Sequence, residues 1–323
     1  MPSDLIMQIA GLGALIAALG AGYWRWIRPS KVGAELSSAP TRDILSLAQR
    51  WLILLALCDS LLAAPFWWAD QSFSFAWDLP ASASRMLAMA GLALAAMCLY
   101  TLERPTRSRM RLIMILLAVY AAPLGAALLI AHRNQLNFAS PMTLALLILL
   151  GVYAIGGGWL AWRPPADPPE TEEDVQPVRH SYNAWLFATS LFCLMWGGWL
   201  YATDAGPLDA IWLWPGYPMS TRLMGVMMLA LSAGSALGWR SLLAARVILL
   251  GMTLYGIGVA LSFLPDFLGG NFNLVTITSN FAGLGLGSAF TLLTERWGDA
   301  PPPVVLGLPT EKISLFGKKR PPR

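Results

Sequence analysis

The sequence predicts an all-α integral membrane protein of about nine transmembrane helices: one leading helix followed by two parallel four-helix repeats. Three observations carry this. Apolar residues make up 56% of the chain and charged residues 12%, with a mean hydropathy of +0.57, far too hydrophobic for an ordinary soluble domain. The charges lie in short segments between long apolar runs, each of a length that crosses a bilayer as helix. A helix-entry sequence also occurs twice. Phe75-Ala-Trp77-Asp78-Leu-Pro80 leads to Ser84-Arg85-Met-Leu, and Trp212-Leu-Trp214-Pro215-Gly-Tyr217-Pro218 leads to Ser220-Thr221-Arg222-Leu-Met. The step from Trp77 to Trp214 equals the step from Arg85 to Arg222, an offset of 137 in both cases.

The predicted spans are 5–24, 51–68, 84–101, 112–131, 143–162, 184–202, 222–238, 247–264 and 276–294. Before the first stands Met-Pro-Ser-Asp4, acidic, and after it Trp24-Arg25-Trp26-Ile27-Arg28, basic. That order predicts a retained, reverse-oriented anchor rather than a cleaved signal. Shifting the second to fifth spans by the same offset lands on the sixth to ninth, with some drift towards the end. Four helices per unit is an even number, so both units face the same way, related by an axis along the membrane normal.

The domain organisation follows. Residues 1–50 are the leading helix and connector, 51–162 the first repeat, 163–183 a linker, 184–296 the second repeat and 297–323 a tail. The linker, Arg163-Pro-Pro-Ala-Asp-Pro-Pro-Glu170-Thr-Glu172-Glu173-Asp174, is proline-rich and acidic and is expected to be flexible. The tail carries Pro301-Pro302-Pro303 and the basic Lys318-Lys319-Arg320, expected to be disordered and to rest on anionic headgroups. Nineteen Lys and Arg fall in alternate loops and the tail, against three, Arg85, Arg133 and Arg222, on the other side. The positive-inside rule then puts the N-terminus outside and the C-terminus in the cytoplasm. The net charge of +4 belongs to those loops and gives no reason to expect nucleic acid.

Few residues point to chemistry. Cys58, Cys98 and Cys193 lie inside apolar runs with no CxxC spacing, and two histidines, His132 and His180, are too few for a haem pair. No Ser/His/Asp set, paired carboxylates or HExxH is present, so neither an enzyme nor a cofactor is predicted. Arg85 and Arg222 sit in first helical turns, where the helix dipole disfavours a cation by up to about 1 kcal/mol. Two readings stand. Both arginines and two helix N-termini form an anion site across the pseudo-axis, or each arginine ties its loop to an acid such as Asp78 or Asp209. Pro80 and Pro218 suit the first helical position, and Ser82, Ser84, Ser220 and Thr221 can satisfy that turn's backbone.

Asp59 lies mid-span in Leu-Ala-Leu-Cys58-Asp59-Ser60. An unpaired charge there costs at least about 2.5–3.5 kcal/mol. It is either a proton or counter-ion site for a cationic substrate, or a neutral acid bonded to a neighbouring helix or to Ser60. Glycines at GxxxG spacing, Gly234 with Gly238 and Gly283 with Gly287, and the runs Gly156-Gly157-Gly158 and Gly197-Gly198, are read as packing contacts. Trp67, Trp68, Trp77, Trp212 and Trp214 form an interfacial belt, and His132 is expected to be solvated.

The run Trp212-Leu-Trp214-Pro215…Pro218-Met-Ser-Thr-Arg222-Leu-Met-Gly225 resembles a motif of bacterial multi-pass membrane proteins of unknown function. In those, a tryptophan-proline stretch and a leucine-threonine-proline turn precede an arginine entering a helix. Gly216-Tyr217 replaces the leucine-threonine here, and the first copy lacks the second tryptophan-proline. The resemblance implies a protein of the bacterial cytoplasmic (inner) membrane and supplies no activity. The expected function is binding or transport of a small solute or lipid at the repeat interface, with Asp59, Arg85, Arg222, Trp77, Trp214 and Tyr217 as candidate binding residues. The expected partners are membrane lipids and a small anionic solute or lipid headgroup. The alternative is a non-catalytic accessory or structural subunit packing against other membrane proteins through small-residue faces.

Overall fold

A computed structural model describes residues 14–27, 40–69, 81–136, 141–163, 180–203, 218–264 and 275–298, with Phe138 and Val178. Every regular element among them is helical. Helix α1 (14–22) ends in a π turn, Tyr23–Ile27. It is followed by α2 (Pro40–Trp68), α3 (Ala81–Glu103), and α4 (Arg107–Ala126), which continues through a π turn at Ala127–Ala131. The next span is built of α5 (Pro141–Gly151), a π turn (Val152–Gly156) and α6 (Gly157–Trp162). The chain then forms α7 (His180–Thr203), α8 (Pro218–Gly238), α9 (Leu242–Ser262) and α10 (Val275–Gly298).

Seven helices among the described residues are long and apolar enough to cross a membrane, not nine. The expected first span lies only partly within the described residues. The expected ninth is α10, 24 residues long, whose Asn280, threonines and glycines dilute its apolar content. Two boundaries also shift. Helix α2 starts at Pro40, well before the predicted span, because proline is well suited to a first helical turn. Helix α7 starts at His180, inside the predicted linker. Pro218 does open α8, as its fixed φ favours. The remaining linker residues 164–177, the tail beyond 298, and Trp77, Asp78, Pro80, Asp209, Trp214 and Tyr217 lie outside the described residues.

Helix pairing is set by small residues. The most extensive contacts join α2 to α3, α7 to α8, α9 to α10, and α4 to the α5–α6 span. Between these pairs, α3 packs on α9 and α8 packs on α4. At Gly256 an added methyl would meet the backbone of Gly285 and Phe281, so α9 and α10 touch main chain to main chain. Gly157 lies against the Met114 carbonyl, so the α6 end of its span seats on α4. Gly251 and Gly258 of α9 are filled by Met97 and Met89 of α3. Of the GxxxG glycines, Gly234, Gly238 and Gly287 receive side chains, whereas Gly283 meets nothing within 4 Å.

Helix starts are capped where the chain turns tightly. Thr106 accepts from the Arg109 amide at 3.5 Å ahead of α4, and Ser241 from the Ala244 amide at 3.4 Å ahead of α9. Arg109, counted among the loop cations, is buried. It donates to the Arg104 carbonyl at 3.0 Å and to the Tyr100 hydroxyl at 3.3 Å, with its guanidinium over the Tyr100 ring. The outer faces stay apolar. Along the α5–α6 span, Leu144, Ile148, Val152, Ile155, Trp159 and Trp162 form one exposed stripe, with Ile155 76% and Trp162 87% exposed. Such a stripe is a liability in water and is satisfied by lipid.

Candidate functional site

The sequence gives α2 an apolar face that buries Ile53, Leu54, Ala56 and Leu57, and an acid one step round from it. Asp59 is half-buried and opens on a cavity of about 180 Å³. The cavity lies between α2, α3, α4, α8 and α9 and the π turn Val152–Gly156. Its polar groups are few: Asp59 and Ser60 from α2, the Trp67 indole, and the hydroxyls of Tyr120, Tyr153 and Tyr255. The rest of the wall is alanine, glycine, leucine and methionine, including Ala90, Leu94, Met97 and Met227. Among the described lining residues there is no lysine, arginine or histidine.

Two of the phenols have clear positioning contacts. The Tyr153 hydroxyl donates to Asp59 Oδ2 at 3.5 Å, the long end of hydrogen-bonding range. Tyr153 is delivered by the π turn, whose extra residue re-aims the side chains of an otherwise regular helix. Gly157 just beyond the turn lets the helix resume against α4. Tyr255 is buried edge-on to Phe281, ring centroids 5.5 Å apart, and its hydroxyl reaches the Met224 sulfur at 3.7 Å. Gly91 of α3 faces the Ser60 carbonyl of α2, so these two helices stay close beside the acid.

This arrangement offers one carboxylate, three phenols and an indole in an otherwise apolar chamber. Among the described residues no group of three or more His, Cys, Asp or Glu comes together to hold a metal ion. The three cysteines are free and buried.

The other predicted site residues sit elsewhere. Arg85 and Arg222 are each the fifth residue of their helix, α3 and α8, and both are half-buried. Neither is among the described residues lining the cavity. Arg222 donates through Nε to the Tyr201 carbonyl at 3.4 Å and through Nη1 to His132 Nε2 at 2.9 Å. Arginine has only donors, so His132 accepts there. His132, expected to be solvated, is therefore buried, because the turn after α4 folds it beneath the α8 entry. In the first copy, Ser84 ties the entry to the preceding helix, donating to the Trp67 carbonyl at 2.7 Å. Trp77, Trp214 and Tyr217 lie outside the described residues.

Sequence reasoning singled out Asp59, which lines the cavity, but not Tyr120, Tyr153 or Tyr255 beside it on the wall. A signal existed: each is a phenol inside an apolar span, and a buried hydroxyl needs a partner. The packing of α3 on α9 and of α8 on α4, which brings the three into one chamber, has no local mark.

Fold and site together define a polytopic helical protein, with seven helices among the described residues long and apolar enough to cross a membrane and an acid-bearing chamber among them. No family model, curated protein or solved structure matches the chain.

Proposed function

We propose that this is a multi-pass protein of a bacterial inner membrane that binds, and in a transport cycle moves, a small solute or lipid at the interface of two parallel repeats. The single observation that carries the reading is Asp59 opening onto a cavity between helices of both halves. A carboxylate in such a place costs free energy unless something polar or charged meets it. Ligand sites of membrane bundles favour such interfaces.

The repeat reading has its own support. The starts of α3 and α8, Ala81 and Pro218, are offset by 137, and those of α4 and α9, Arg107 and Leu242, by 135. The caps Thr106 and Ser241 share the second of these offsets. Helix α3 on α9 and α8 on α4 are equivalent contacts under a twofold exchange of the halves. On this reading Arg222 anchors the outer end, joining α8, α7 and the turn after α4. The N-terminus is outside and the C-terminus cytoplasmic, as the charge bias requires.

A purely structural role fits less well. An accessory subunit would present small-residue faces outward; Gly157, Gly197, Gly225, Gly256 and Gly285 are used in internal contacts, while Gly125, Gly151, Gly198 and Gly283 meet nothing within 4 Å. The test is a cavity-filling variant. Mass spectrometry of small molecules co-purifying with the protein in mild detergent should find a species in the wild type that is lost in Ala90→Trp. It should persist in Ser190→Ala, whose side chain is not among those lining the cavity. Identical extracts from wild type and Ala90→Trp would count against the reading.

A further inference from the structure

The cavity's chemistry selects a narrower class of ligand than size alone. Asp59 is the one carboxylate on the described wall, and no described cation faces it there. Tyr153 takes Oδ2, leaving Oδ1 for a ligand. The cavity wall also carries four aromatic side chains, Trp67, Tyr120, Tyr153 and Tyr255, of which Tyr153 touches the acid. Their negative ring faces attract an ammonium group, most strongly when it is desolvated.

The alternatives are weaker on the same ground. An anion would meet a carboxylate with no compensating described cation on the wall. A divalent metal needs several oxygen or nitrogen ligands, and only one carboxylate is offered. A neutral hydrocarbon would leave the acid without a charged partner. Size sets the rest: an apolar cavity of about 150 Å³ accommodates benzene, so 180 Å³ suits one ring with a short arm.

We infer that the cavity binds a small apolar primary amine as its ammonium ion, nitrogen on Asp59 and hydrocarbon against Ala90, Leu94, Met97 and Met227. This rests on the solute-binding reading and names the solute's class. The ammonium donates to the Asp59 carboxylate, Tyr153 holds the second oxygen, and the flanking rings replace the water lost by the cation. The outer arginines play no part in holding it.

The test uses three probes of one shape and different charge. 2-Phenylethylamine, 2-phenylethanol and phenylacetate are titrated calorimetrically into the full-length protein in mild detergent at about neutral pH, where the amine is protonated. The amine should bind at least tenfold tighter than the alcohol, and phenylacetate should give no heat. Asp59→Asn should bring the amine down to the alcohol's level, Asp59→Glu should retain the preference, and Ala90→Trp should exclude both. Amine affinity surviving in Asp59→Asn overturns the inference. So does alcohol or phenylacetate binding as tightly as the amine; if Ala90→Trp still blocks that binding, the cavity stands as a solute site of another class. No heat from any probe in the wild type overturns the amine inference, and the co-purification result then judges the cavity separately. Should Asp59→Asn fail to fold, the order of the probes on wild type and Ala90→Trp decides alone.

Discussion

The helix pairs α2–α3 and α7–α8 are built alike and finished differently. In α7–α8, Gly197 and Gly225 bring the backbones together, an added methyl at either meeting main-chain atoms at 2.7–2.8 Å. Beside them Ser190 and Ser232 donate to each other's carbonyls at 3.1 and 2.9 Å. Counted back by 137, the offset of the proposed repeat, the serines become Ile53 and Ala95, both buried and apolar. Trp196 becomes Asp59 and Gly197 becomes Ser60. The second pair spends its polar groups on sealing two helices together. The first has hydrocarbon at the positions of those serines, keeps one polar tie at the α3 entry, Ser84 to the Trp67 carbonyl, and turns its mid-helix acid into a chamber. Polarity near mid-helix therefore has two uses in one chain, and contact with a cavity distinguishes them better than residue type does.

That contrast can be broken most sharply at the sealed pair. Gly197→Ala should lower stability by about 1–3 kcal/mol, the usual cost of overpacking a tight contact. Gly198→Ala, next to it and with nothing within 4 Å, should be neutral or gain up to about 1 kcal/mol from helix propensity. Thermal melts in detergent read both. Equal melts for the two variants would mean the α7–α8 contact at Gly197 is not tight.

The smaller effect belongs to the open pair. If Asp59 is kept for a ligand rather than for packing, Asp59→Leu should leave stability unchanged or raise it by about 1 kcal/mol, since replacing buried charge with hydrocarbon commonly has that sign. The same melts check it. A loss of about 2 kcal/mol or more, on the order of a broken buried polar network, would make Asp59 a structural residue like Ser190.

The sequence carried much of this and missed the rest for identifiable reasons. The spans were legible because lipid demands long apolar runs, and Pro218 marked its own helix start. The early start of α2 at Pro40 was not, since hydropathy ends at the membrane while a helix need not. The π turn Val152–Gly156 was invisible, as one extra residue leaves the apolar pattern intact. Asp59 stood out because an acid mid-span is costly. Its partner Tyr153, far along the chain, was brought to it by tertiary packing alone. Arg222 was read as part of an anion site or as a tie to an acid, and its contact with His132, equally remote in sequence, was not foreseen.

The central claim is that the chamber at Asp59, and not the arginine-marked helix entries, is where a ligand sits. Crystals of the protein grown with 4-bromophenethylamine would test it through the anomalous signal of bromine. The account predicts one bromine peak inside the chamber, among Leu94, Met97 and Met227, with the amine nitrogen on Asp59. A peak beside Arg85 or Arg222, with the chamber empty, would contradict it.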